Sequence, residues 1–185
     1  MRASWVVVTM FSLVVSAAFI AEAQNNPNNP NAPGRTSPPP KGQQSPSASA
    51  NKSYEATKHI AVINAGLQDA AVNADMLANI SSDKRSYDRS HAEIFLGNIR
   101  DAVNQSETHL AHLQPMASST NEKNQFQELS KALKSAKAMM QPISNQLDKP
   151  EAVHDAATKL NKQFKDGMSP LKQLAQSLDA KVRIG

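Results

Sequence analysis

The stretch AEIFLGNIRDAVNQSETHLAHLQP, residues 92–115, decides the fold. Its apolar positions, Ala92, Leu96, Ile99, Val103, Leu110 and Leu113, are separated alternately by four and three residues, with Ser106 filling the one polar place. An α-helix turns once every 3.6 residues, so this alternation lines a single face. Held strictly over several turns, it predicts helices packed at shallow, left-handed angles. Pro115 closes the helix, since it has no amide hydrogen and disfavours helical backbone before it.

The same period recurs on both sides. A segment over 53–80 carries Ile60, Ile63, Leu67, Ala70, Ala74 and Leu77. The second, over 83–113, is the one just read. A third, over 121–147, carries Phe126, Leu129, Leu133, Ala136, Met140, Ile143 and Leu147. A fourth, over 150–182, carries Val153, Ala157, Leu160, Phe164, Gly167, Leu171, Leu174 and Leu178. Apolar residues are only 39% of the chain, yet Ser106 and Gly167 are the only seam positions that are not plainly apolar. Chance placement does not produce that.

The punctuation agrees. The run SSDK offers a helix start at Ser82 or Asp83, Ser119 with Glu122 forms a capping-box pattern, and DKPE sets Asp148 and Glu151 around a proline in a first turn. Connections this short make neighbouring helices antiparallel, which predicts an all-α, up-down-up-down antiparallel four-helix bundle. Pro142 and Pro170 fall inside the pattern, and both seams keep their phase across them. Kinked but continuous helices are therefore expected, with a restart capped by Ser169 as the alternative at the second site. Aromatics make up 4% of the chain, so the core must be built from Ala, Leu, Ile, Val and Met, which suits helices better than sheets.

Before the bundle the chain changes character twice. Residues 1–23 hold one early charge, Arg2, an apolar run from Trp5 to Ile20, and then Ala21-Glu22-Ala23. That is the pattern of a secretory signal peptide with cleavage after Ala23, and the run is short of the ~20 residues that span a bilayer. A secreted or periplasmic protein is expected, with no stable transmembrane span after cleavage. Residues 24–51 contain seven of the eleven prolines and no Ile, Leu, Val, Phe, Tyr or Trp. With nothing to bury they read as a disordered spacer, leaving 52–185 as the bundle domain. The cysteine count is zero, which removes disulfides, thiolate metal sites and covalent haem attachment. Asn51, Asn79 and Asn104 stand in N-x-S sequons that matter only in a glycosylating host.

The chemistry on offer is sparse. His109 and His112 lie three apart on the second segment, and antiparallel pairing brings His59 to the same end. In the heptad register His109 borders the core and His112 faces water. Neutral imidazoles bind Zn, Cu or Ni, so His59, His109 and His112 form the candidate metal cluster, with no carboxylate clearly placed to complete it. A carboxylate-bridged di-iron centre needs two inward Glu-x-x-His pairs and two further glutamates. Glu151 with His154 fits, and Asp88 with His91 half fits, but Glu151 and His91 fall at outward positions. Non-covalent haem would need inward axial ligands, and Met140 is the one core candidate. No nucleophile motif or glycine-rich phosphate loop is present.

Charge adds one feature. From Lys52 onward there are 17 basic and 15 acidic residues, and the basic excess lies after residue 120. Lys131, Lys134, Lys162, Lys165 and Lys172 fall at outward positions of the last two segments. They read as a solvated face or a patch for an anionic envelope surface, and without interleaved aromatics they do not suggest nucleic-acid binding. The reading that follows is an exported, non-catalytic helical module that needs no cofactor and has a binding or structural role. Its partner would be another protein or an anionic surface. The alternative is a metal-binding bundle using the histidine cluster.

Overall fold

The structure is a computed structural model that describes residues 48–185. The expected signal peptide and the expected spacer up to residue 47 lie outside the described residues. Among these there are four α-helices, one short 3-10 turn and no strand. The helices are α1 (Ala48–Ser81), α2 (Arg89–Leu113), α3 (Thr120–Ser144) and α4 (Pro150–Ser177), with the 3-10 turn at Gln114–Met116. None of them is long and apolar enough to cross a membrane. α1 packs against α2 and α4, and α3 against α4, while the α2–α3 seam is the most sparsely packed.

Apolar period placed the core. Every seam position is buried except Phe126, which packs only partly against the core. At that end of α3 the inward places go to Glu122 and Gln125. The cause is local. Glu122 is drawn in by the capping box, in which its carboxylate accepts from the amides of Ser118 (2.6 Å) and Ser119 (2.8 Å) while Ser119 Oγ accepts from the Glu122 amide. Gln125, three residues on, follows it to the inner face, and its Oε1 has no hydrogen-bond partner among the described residues.

Helix ends correct the sequence reading in four places. α1 begins at Ala48, so residues 48–51, counted above with the spacer, are helical. α2 starts after Asp88, not at Ser82 or Asp83. Asp88 accepts from the amides of Ser90 (2.7 Å) and His91 (3.4 Å), which is ordinary N-capping. Asp83 instead closes a tight turn, accepting from the Arg85 amide and the Ser86 hydroxyl, both at 3.0 Å. The loop is held down where the Tyr87 hydroxyl donates to the Leu147 carbonyl at 2.6 Å. α3 stops at Ser144, two residues beyond Pro142, where sequence period alone ran to Leu147. Asp148 is no cap for α4 and pairs with Arg89 at 2.6 Å, while Pro150 takes the first helical position.

α4 runs unbroken through Pro170 to Ser177, so the restart capped by Ser169 does not occur. It ends in a Schellman motif: the Ala180 amide reaches back to the Ala175 carbonyl at 2.9 Å and Asp179 adopts a φ of 52°. Beyond it Val182 and Ile184 pack partly against the core.

α1 and α2 approach closely at Gly66. A Cβ built there would lie 2.4 Å from Ser106 Oγ and 3.1 Å from the Ala102 carbonyl oxygen. Ser106, the polar member of the α2 seam, is therefore fully buried against a bare helix backbone, its hydroxyl donating to Ala102 O at 2.8 Å. Small residues here let α1 and α2 draw together, which bears directly on the histidines one to two turns away.

Candidate functional site

One helix places two of the three histidines and its neighbour places the third. His59 stands on α1 seven residues before Gly66, and His109 stands on α2 three residues after Ser106. The close helix contact carries them together: His59 Nδ1 and His109 Nδ1 are 3.0 Å apart, a hydrogen bond in which one ring donates and the other accepts. His112 lies nearly face to face with His59, centroids 4.9 Å apart at 20°, and edge-on to His109 at 6.3 Å. His59 and His109 are half-buried and His112 is exposed, as the heptad register requires.

Its surroundings tune the His59 ring. Partial burial, followed by the nearness of His109 and His112, holds the His59 imidazole below its ordinary pKa near 6.5, with Glu55 pulling the other way. Glu55, one helical turn before His59, is the carboxylate that the sequence reading did not place; the four-residue spacing was the signal. It is paired with Lys58 at 3.1 Å on the surface. As the side chains stand, no group of three or more His, Asp or Glu among the described residues is arranged to enclose a metal ion. The reason is visible in the rings: His112 turns its face toward His59 instead of a nitrogen.

Stability should follow His59 in pH. Because the His59 pKa is lowered on folding, the unfolded chain takes up that proton first. Its contribution is therefore flat above pH 6.5 and is lost as pH falls from 6.5 through the folded-state value. Thermal unfolding followed by circular dichroism between pH 7.5 and 5 should show the midpoint dropping in that window, with a smaller drop in His59→Gln. An equal drop in the variant would place the titration elsewhere.

The other candidates are spent on the fold. Glu151 is exposed and pairs with Lys84 at 2.7 Å, and His154 Nδ1 donates to the Ala78 carbonyl at 2.8 Å. Asp88 caps α2 and pairs with the exposed His91 at 3.1 Å, so neither half of the di-iron pattern points inward. Met140 is buried in the core. Lys131, Lys134, Lys162, Lys165 and Lys172 are all exposed.

Reading the sequence missed a groove of about 640 Å³ beside α3, lined by Gln114, Ala117, Phe126, Lys123, Lys131 and Lys134 among others. It opens where α2 and α3 pack least and where Phe126 has slipped outward. The only available signal was the choice between Gln125 and Phe126 for the inner face, and composition favours the wrong one.

No protein-family model, curated protein or solved structure matches this chain.

Proposed function

We propose that the chain is an exported, non-catalytic helical module with a binding or structural role, its helices running up-down-up-down as an antiparallel bundle. The observation that carries the non-catalytic reading is the use made of the buried polar groups. Ser81 and Ser106 bond back to their own helix, Glu122 closes a capping box, and Asn161 Nδ2 donates to the Ala71 carbonyl at 3.0 Å. These four each serve a backbone, the fifth buried polar side chain among the described residues, Gln125, leaves its Oε1 without a partner, and none of the five pairs with a second group as acid with base.

The antiparallel course is supported by cross-helix pairs. His59 meets His109 while Asn73 meets Asn98, and Ala71 meets Asn161 while Ala78 meets His154. In both sets, later residues of α1 meet earlier residues of the partner helix. Export rests on the N-terminal apolar run and the Ala21-Glu22-Ala23 site. A partner with an anionic surface is favoured by the five exposed lysines on α3 and α4.

Fractionation of the host cell with N-terminal sequencing tests this reading. The protein is expected outside the cytoplasmic membrane with Gln24 as its first residue. A cytoplasmic protein retaining residues 1–23 overturns the export.

A further inference from the structure

We propose that His59, His109 and His112 bind a single divalent copper ion at the edge of the α1–α2 seam. The site goes beyond the role proposed above and does not depend on where the protein resides.

The argument begins with spacing. Two imidazole nitrogens on one ion, each at about 2.0–2.1 Å from it, lie about 3.4 Å apart in a tetrahedral site and about 2.9 Å apart at a right angle. His59 Nδ1 and His109 Nδ1 are 3.0 Å apart. That spacing, set here by the hydrogen bond, lies near the right-angle value, and tetragonal centres are the geometry that Cu(II) and Ni(II) prefer. Copper also stands at the top of the affinity order for nitrogen donors.

The shared proton is no obstacle. The ring that donates across the 3.0 Å bond moves its hydrogen to Nε2 through water, and both Nδ1 atoms then coordinate as neutral imidazoles. No proton leaves the neutral cluster in that exchange.

His112 supplies the third nitrogen. It is exposed, so rotation of its ring away from the stacked position over His59 meets solvent and not a packed core. Glu55 offers charge at the fourth position. Its bond to Lys58 is a surface ion pair with both side chains about half exposed, and such pairs hold a carboxylate only weakly. The two helices that carry His59 and His109 meet closely at Gly66 and Ser106.

Titration of the purified full chain with CuCl2 after chelator treatment, read by calorimetry and by electron paramagnetic resonance, tests the site. One equivalent should bind with micromolar or tighter affinity and give an axial spectrum with imidazole-nitrogen couplings. His59→Ala and His109→Ala should each weaken binding at least about tenfold, the lower end of what losing even a supporting group costs a metal site. The double variant should abolish the one-equivalent step. His91→Ala and His154→Ala should leave it unchanged, and circular dichroism confirms that each variant is folded. Zn(II) should bind at least about tenfold more weakly than Cu(II). Absence of the one-equivalent step, its survival in the folded double variant, or Zn(II) binding more tightly than Cu(II) would each overturn the proposal.

Discussion

Replacing Phe164 with alanine is expected to destabilise the protein by about 3–5 kcal/mol, the usual cost of emptying a buried phenylalanine site. In a domain of this size that is a fall of roughly 10–20 °C in the thermal midpoint. Phe164 is 1% exposed and is the only aromatic side chain fully buried among the described residues. It sits on α4 one turn after Leu160, with Gly167 and Leu171 following on the same face. Phe126→Ala is the matched comparison. That ring is half exposed beside the α3 groove, and its removal should cost about 1 kcal/mol, in line with the smaller apolar area it buries. Urea unfolding of both variants reads the difference. Equal losses would mean that Phe126, and not Gln125, holds the inner place in α3.

That comparison marks where the sequence was legible. Apolar period is a property of the whole helix, so the faces of α1, α2 and α4 were readable residue by residue. Even Ser106 and Gly167, the two seam positions without an apolar side chain, proved buried. Helix ends are decided by single hydrogen bonds, and several residues can compete for them. SSDK reads as a start, yet Asp88 takes the helix because Asp83 is occupied in its own turn and Tyr87 is tied to Leu147. The inner face at the start of α3 belongs to the same class, since a capping carboxylate pulled Glu122 and then Gln125 inward against the apolar preference. The histidine cluster was half legible. Heptad position anticipated the exposure of His109 and His112, and His59 stands beside them as the sequence led one to expect. The stacked orientation of His112 is a rotamer choice, and no sequence period encodes it.

Gly66 joins the fold to the candidate site, and Gly66→Leu is expected to destabilise by about 3 kcal/mol. Leucine is a far better helix former than glycine, so α1 itself would gain about 0.8–1 kcal/mol from the change. The loss must therefore come from the contact. A Cβ at this position meets Ser106 Oγ at 2.4 Å and the Ala102 carbonyl oxygen at 3.1 Å, and the second of these is backbone and cannot rotate away. The helices must part. Gly167→Ala should behave in the opposite way, because its new Cβ would meet Ala132 and Leu67 only at ordinary contact of 3.9 Å, leaving the helix gain of about 1 kcal/mol uncancelled. Two buried glycines thus separate sterics from propensity. A double-mutant cycle sharpens the first: Ser106→Ala removes the hydroxyl that collides, so Gly66→Ala combined with Ser106→Ala should lose less than the two singles summed, by about 1 kcal/mol. Parting α1 from α2 also moves His59 from His109, whose 3.0 Å spacing depends on that contact. Gly66→Leu should consequently weaken copper binding while altering none of its ligands, and Gly167→Ala should leave that binding unchanged. If Gly66→Leu is destabilised but binds copper as tightly as the parent chain, the ion is held somewhere that the α1–α2 spacing does not reach.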